Sequence, residues 1–246
     1  MGEYIGLDVS MKDTAISVRR DRKRVWRGKC ASDPEVIART VRKHVSDPER
    51  IIFETGPLAV WFFHALQAEG LPAICVDARH AKAALDMAPN KTDANDADGL
   101  AHLAEVGFYR EVRVKGFDSM LTRTLVAART KLVRIKTDIS NQIRGLMKTF
   151  GLVIPGGKGS RFEANVVEKL ADHHDLAAII MPLLEAWRSV RVRAAELTRQ
   201  LIRDARQSEP CQLLMSIPGV GVVTASAFAT AIEDPANFRR SRSVGA

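Results

Sequence analysis

Lys91-Thr92-Asp93-Ala94-Asn95-Asp96-Ala97-Asp98-Gly99-Leu100-Ala101 opens a helix with two acids, Asp93 and Asp96, three residues apart and so on one face. Below them Ala97, Leu100, Ala101 and Ala104 recur at i, i+3, i+4 and i+7, the mark of a buried side. Two carboxylates therefore sit at the rim of a core, where an unpaired charge is costly and a cation or donor must compensate it. Capping is one explanation: Asp93 would cap the helix, and Asp96 would suit the dipole of its first turn. Metal binding is the other, and it gains from two further acids, Asp8 and Glu54, each at the end of an apolar run. Asp98 lies well round the helix and reads as solvated.

The segments before this helix are read outward from it. Glu3-Tyr4-Ile5-Gly6-Leu7-Asp8-Val9-Ser10 reads as a strand whose apolar character breaks at Asp8. Residues 14–19 alternate as a second strand, Asp21-Arg22-Lys23 makes a polar turn, and 24–30 return as a third. Pro34 starts a helix with Ile37, Val41 and Val45 on one side, and 50–55 form a buried strand ending at Glu54 before Gly56-Pro57. A helix over 58–69, a fifth strand over 71–77 and a helix over 79–87 precede the acidic helix of 93–107. Three strands in meander, then helix, strand, helix, strand, helix, is the order of a ribonuclease-H-like (RuvC-like) α/β fold with a mixed sheet. In that order the metal-binding acids lie on the first strand, at the end of the fourth and on the last helix. Asp8, Glu54, Asp93 and Asp96 hold those places.

Gly6-Leu7-Asp8-Val9-Ser10, Phe53-Glu54-Thr55-Gly56 and Lys91-Thr92-Asp93-Ala94-Asn95-Asp96-Ala97 resemble the DEDD transposases of the insertion sequence 110 family, relatives of the Piv DNA invertase. The resemblance runs over essentially the whole chain. It places the family's acidic tetrad, catalytic and metal-binding, on Asp8, Glu54, Asp93 and Asp96. It implies two Mg²⁺ (or Mn²⁺) ions, DNA strand cleavage and exchange in transposition, and a structured guide RNA beside the DNA. Four carboxylates suit hard cations held roughly 4 Å apart across a scissile phosphate.

The net charge of +8 is unevenly spread. Lys and Arg less Asp and Glu gives 15 − 16 = −1 for 1–109, 10 − 3 = +7 for 110–150 and 12 − 10 = +2 for 151–246. The basic segment is the expected phosphate-binding surface. It coincides with an apolar series at Leu121, Leu125, Ala128, Leu132, Ile135 and Ile139, shifting to Ile143, Leu146 and Phe150. A second series runs Leu176, Ile180, Leu183, Trp187, Val190, Ala194, Leu197 and Leu201, with Pro182 expected to break it or restart a helix. Alternating spacings of three and four favour a coiled-coil hairpin, with a homo-oligomer (dimer or tetramer) seam close behind; the alternative is that both helices pack on the first domain. Residues 151–160 read as a loop. Arg123, Arg129, Lys131, Arg134, Lys136, Arg144 and Lys148 decorate the first helix away from its seam, as a nucleic-acid-binding face.

Ile217-Pro218-Gly219-Val220-Gly221 lies between two apolar helices and matches a helix-hairpin-helix. There Gly219, Val220 and Gly221 would bring backbone N–H groups to a phosphate, although Pro-Gly also ends helices for structural reasons. In the family this motif introduces the C-terminal transposase domain. The expected domains are 1–115 (RuvC-like), 116–208 (helical coiled coil) and 209–246 (helix-hairpin-helix start of a truncated C-terminal domain). The family's nucleophilic serine lies further on, and Ser241 and Ser243 do not match it.

No stretch is long and apolar enough to cross a membrane, and Cys30, Cys75 and Cys211 form no metal or redox spacing, so a reducing cytoplasm is expected, a prokaryotic one by the family resemblance. The function read is an insertion-sequence transposase or site-specific recombinase that is RNA-guided and binds DNA. The rivals are a RuvC-like junction nuclease, which needs the acids and no serine, and a catalytically silent nucleic-acid-binding remnant. An actin-like phosphotransferase would need a second phosphate loop and a duplicated domain, and neither is found.

Overall fold

The computed structural model describes residues 2–85, 92–157, 159–238 and 240, and the chain divides into two compact units, Met1–Lys115 and Gly116–Ala246. The first unit runs β1 (Glu3–Val9), β2 (Asp13–Arg20), β3 (Lys23–Ala31), α1 (Pro34–His44), β4 (Pro48–Glu54), α2 (Ala59–Ala68), β5 (Ala73–Val76), α3 (Ala78–Leu85) and α4 (Asp93–Val106). The mixed α/β sheet expected from the sequence is present, in the order β3-β2-β1-β4-β5. β1, β2 and β3 pair antiparallel, whereas β4 runs parallel to β1, and β5 to β4. Asp21 and Arg22 join β2 to β3 with φ of 51° and 62°, the two left-handed residues that match the twist of a tight hairpin. The expected end of α3 near Met87 lies outside the described residues.

Strand alternation sorts the two faces. Ile5, Leu7, Ile16, Val18, Ile51 and Phe53 point to one side, where they bury Ile37 and Val41 of α1 and Phe62 and Leu66 of α2. On the other side Ile52 and Val76 meet Leu100, Leu103 and Ala104 of α4. Each large apolar side chain taken from water contributes about 1.5–3 kcal/mol. α1 starts at Asp33, whose carboxylate accepts from the Val36 amide, and Pro34 follows where no amide is needed. α4 ends at Gly107, left-handed at φ 69°.

The second unit comprises α5 (Phe117–Thr149), α6 (Ser160–Leu170), α7 (His174–Gln207), α8 (Glu209–Met215) and α9 (Val222–Ile232). α5 and α7 lie antiparallel: Arg129 reaches Thr198 near one end, and Ile143 and Met147 pack with Ile180 and Leu184 near the other. Pro182 does not break α7, contrary to expectation. It is exposed, and so is Ala178, whose carbonyl loses its helical partner, so water can satisfy that carbonyl while Ile180 and Leu184 hold the turn by packing.

The buried residues depart from the series read in the sequence. Leu184 is buried rather than Leu183, Met147 rather than Leu146, and Leu121 and Phe150 are exposed. The loop read over 151–160 is present up to the start of α6 at Ser160, and α6 itself is unexpected from the sequence; its Phe162, Val166 and Leu170, one turn apart, join the core of α5 and α7. No helix among the described residues is long and apolar enough to cross a membrane.

Candidate active site and nucleic-acid surface

The acidic site begins with a register. Leu7 lies opposite Phe53 in the parallel pair β1–β4, so the next residues, Asp8 and Glu54, stand side by side at adjacent strand ends. The chain leaves β1 toward β2 on one side and returns through β4 on the other, which makes these ends a crevice of the kind where open α/β sheets bind ligands. Both acids are half-buried and line one cavity of about 320 Å³ with Met11, Thr55, Pro57 and Leu58. Alternation places Asp8 two residues beyond Gly6, and Glu54 two beyond Ile52, on the face that α4 covers. Gly6 is what lets α4 come down on β1, since a Cβ there would overlap the Ala97 carbonyl and the Ala101 amide.

At the start of α4 the cap is Thr92 and not Asp93: the Thr92 hydroxyl accepts from the Asn95 amide at 3.3 Å. Asp93 and Asp96 are thus both in the first turn, where the helix dipole favours an acid, and neither serves as the cap. Asp96 is half-buried, while Asp93 is exposed with its carboxylate 3.5 Å from Lys29 Nζ. Lys29 shares a cross-strand row with Asp8, since Asp8 faces Ala15 and Ala15 faces Lys29. The row ties the first acid of α4 to the strand that carries Asp8. Sequence reasoning missed Lys29, whose only signal was its place in the alternation of β3.

Asp98 is not solvated as expected. It accepts from Ser17 at 2.9 Å and pairs with Arg19 at 3.1 Å and Arg24 at 3.6 Å, which fixes the flank of α4 to β2 and β3.

Among the described residues no group of three or more His, Cys, Asp or Glu stands close enough to hold a metal ion. The structure brings Asp8 and Glu54 together and sets Asp93 and Asp96 in the first turn of the helix that covers their face of the sheet. The donor chemistry fits Mg²⁺ or Mn²⁺, which take carboxylate oxygens sparingly and complete their shells with water and phosphate.

In the second unit Arg123, Lys131 and Arg134 are exposed along one side of α5 and line a groove of about 520 Å³ with Ala227 and Thr230 of α9. Lys136 is half-buried and Lys148 exposed. Arg129 and Arg144 do not belong to a free basic face. Arg129 donates to the Thr198 hydroxyl at 3.2 Å, and Arg144 lies 4.4 Å over the Phe162 ring and donates to the Gly157 carbonyl at 3.4 Å. Helical spacing alone does not reveal this, because the partners come from α7, α6 and the segment before α6.

Between α8 and α9 the Val220 amide donates to the Ile217 carbonyl, Gly219 is left-handed at φ 86°, and Gly221 caps α9 with no side-chain acceptor. Contrary to expectation the Val220 amide is therefore engaged within the turn, and the amides presented are those at the start of α9.

Comparison with known proteins gives relatives for this chain. Residues 5–151 match the model of the DEDD transposases of the IS110 group, described as a transposase, and residues 211–246 match the model described as the transposase IS116/IS110/IS902 family. The transposase for insertion sequence element IS1111A of Coxiella burnetii is 29% identical over 209 residues, covering 80% of this chain and 54% of that protein. A putative transposase of Sinorhizobium fredii (y4pF/y4sB) is 31% identical over 160 residues, covering 63% and 41%. The chain spans about half the length of the curated relatives it matches. Among solved structures, that of T. thermophilus RuvC in complex with a Holliday junction substrate aligns with a TM-score of 0.34 and 14% identity, over 46% of this chain and all of that one.

Proposed function

The chain belongs to the IS110 family of DEDD transposases, and from that premise we propose that it cleaves and exchanges DNA strands at an acidic site built on Asp8, Glu54, Asp93 and Asp96. The observation that carries this reading is the parallel register of Leu7 with Phe53, which sets Asp8 beside Glu54 on the face covered by the helix bearing the other two acids. Asp8 and Glu54 would hold two divalent ions, Mg²⁺ or Mn²⁺, with Asp93 and Asp96 completing the ligand set from α4. Bound there, the ions supply the positive charge that offsets the developing charge on a scissile phosphate.

The protein's part is to hold the donors in place. β1 and β4 are paired in register up to Leu7 and Phe53, beside the two acids, and Lys29 steadies Asp93 through a partly exposed pair of modest energy. The serine nucleophile that the resemblance implies is assigned to no residue of this chain.

In this reading residues 1–115 are the catalytic domain, 116–208 a coiled-coil region joining copies of the chain into a dimer or tetramer, and 209–246 the start of the C-terminal domain. The helix-hairpin-helix amides of Gly219 and Gly221, with Arg123, Lys131, Arg134, Lys136 and Lys148, bind the phosphates of DNA and of a structured guide RNA. The setting is the bacterial cytoplasm.

The test is cleavage of a branched DNA substrate across a Mg²⁺ and Mn²⁺ titration, with the chain and its Asp8→Ala variant. The expected result is metal-dependent cleavage that falls by more than about 100-fold in the variant, since loss of an outer-shell partner alone costs about 10–100-fold. DNA binding should stay within about twofold. Cleavage that is indifferent to metal or to Asp8 would sink the proposal, and loss of folding in the variant would make Asp8 a structural acid.

A further inference from the structure

At the α6 end of the hairpin two arginines of α7 meet a single acid of α6, and a third arginine lies over the neighbouring Phe162 ring. Arg188 Nε lies 2.7 Å from one Glu163 oxygen, and an Arg191 terminal nitrogen 3.5 Å from the other. Arg144 and Arg191 also flank a pair of rings. Arg144 sits 4.4 Å over Phe162, Phe162 and Trp187 are 5.0 Å apart, and Arg191 sits 5.1 Å over Trp187. The rings hold both guanidinium planes in place, so little freedom is left to lose when an anion arrives.

The charge does not balance. Two guanidinium groups face one carboxylate, all three partly screened from water: the side chains of Arg188, Arg191 and Glu163 are 37%, 35% and 25% exposed. Arg191 Nε is buried, with no hydrogen-bond partner among the described residues. Unpaired buried donors are uncommon in native proteins and call for a reason. Each guanidinium also carries a fork of donors larger than the protein acceptor it meets. Cementing α6 to α5 and α7 would need one arginine for one glutamate.

We propose that Arg188 and Arg191 form a phosphate-binding site for the phosphodiester backbone of a nucleic acid, with Glu163 as an internal competitor that occupies the guanidinium forks until a phosphate displaces it. This rests on the nucleic-acid reading above and adds a site to it, since Arg188 and Arg191 lie on α7, outside the basic helix singled out by sequence. Arginine suits the task because its planar fork meets two phosphate oxygens at once. The acid makes the site selective, as only a ligand of higher charge density than a carboxylate outcompetes it.

The competition gives a sign that a structural role does not. Fluorescence anisotropy of a labelled stem-loop RNA and of a labelled DNA duplex of equal length, each over a series of salt concentrations, reads it in the whole chain. Glu163→Gln should tighten binding about 3–10-fold by freeing the arginines, each of which adds about one phosphate contact to the salt slope. Arg191→Ala should weaken binding and lower the slope of log affinity against log salt by about one. Arg191→Lys, a charge without the fork, should recover only part of the loss.

Gain with RNA alone identifies RNA as the source of the phosphate, and gain with both probes identifies the backbone that they share. If Glu163→Gln leaves affinity unchanged and Arg191→Ala lowers only the melting temperature, the arginines are cement and the proposal is overturned. Should Glu163→Gln fail to fold, the Arg191 pair of variants still decides it through the salt slope. Arg123→Ala separates the two levels of failure. An effect at Arg123 with none at Arg191 overturns this site alone, while no effect at either overturns the nucleic-acid reading as well.

Discussion

A Cβ added to Gly6 would overlap the Ala97 carbonyl oxygen and the Ala101 amide nitrogen and come within 2.8 Å of Leu100 Cβ. Two of those atoms are backbone, so no rotamer change relieves the clash and α4 itself must move. Gly6→Ala should therefore cost about 3 kcal/mol, at the upper end for overpacking in a core, read as a lower urea midpoint with an unchanged slope. The same shift carries Asp93 and Asp96 away from Asp8, so metal-dependent cleavage should fall further than stability does. A variant as stable as the parent would show that α4 does not rest on Gly6. The sequence displayed Gly6-Leu7-Asp8 plainly, but the reason for the glycine lies in a helix some ninety residues away. Asp98 was misread for a similar cause: its angle on the helix was right, but its partners Arg19 and Ser17 arrive on β2, 79 and 81 residues earlier.

At the scale of elements, α4 is fixed at its start by Thr92, which leaves both acids of its first turn without a capping duty. Thr92→Ala should lower stability by about 1 kcal/mol, a drop of roughly 2–4 °C in melting temperature for a chain of this size. Thr92→Ser should retain most of it, and equal losses in both would mean that the hydroxyl does not cap. The strands and the α4 stripe were legible because period 2 and period 3.6 are local properties of a chain. The long helices were legible as helices, whereas their inner faces were less so. Leu183 and Leu184 fit a helical stripe nearly equally, and α6, packed between α5 and α7, selects Leu184. The same packing carries α7 through Pro182, where a local rule predicts a break. α6 left its own signal in Phe162, Val166 and Leu170, three residues at one-turn spacing beside a glycine-rich stretch that reads as loop.

Over the whole molecule, the charge is divided by region: −1 over 1–109, which holds the four acids, and +7 over 110–150. A near-neutral region gains little long-range attraction for a polyanion, so affinity for nucleic acid must come chiefly from the basic segment. Four of the expected binding residues there, Arg123, Lys131, Arg134 and Lys148, are exposed. If each neutralises one phosphate of duplex DNA, log affinity falls against log salt with a slope of about −4, at roughly −0.9 per contact. The double variant Arg123→Ala with Arg134→Ala should bring that slope to about −2, with binding weakened at low salt far more than at high salt. Asp8→Ala should leave the slope where it was, and so should chelation of divalent ions, because in the proposed function the acids serve chemistry rather than capture. Anisotropy titrations of one duplex in EDTA, from low to moderate salt, test both statements. A slope that the double variant leaves unchanged would move the nucleic-acid surface off this face of α5. A slope that steepens when metal is restored would mean that the acidic site itself binds backbone phosphate through its ions.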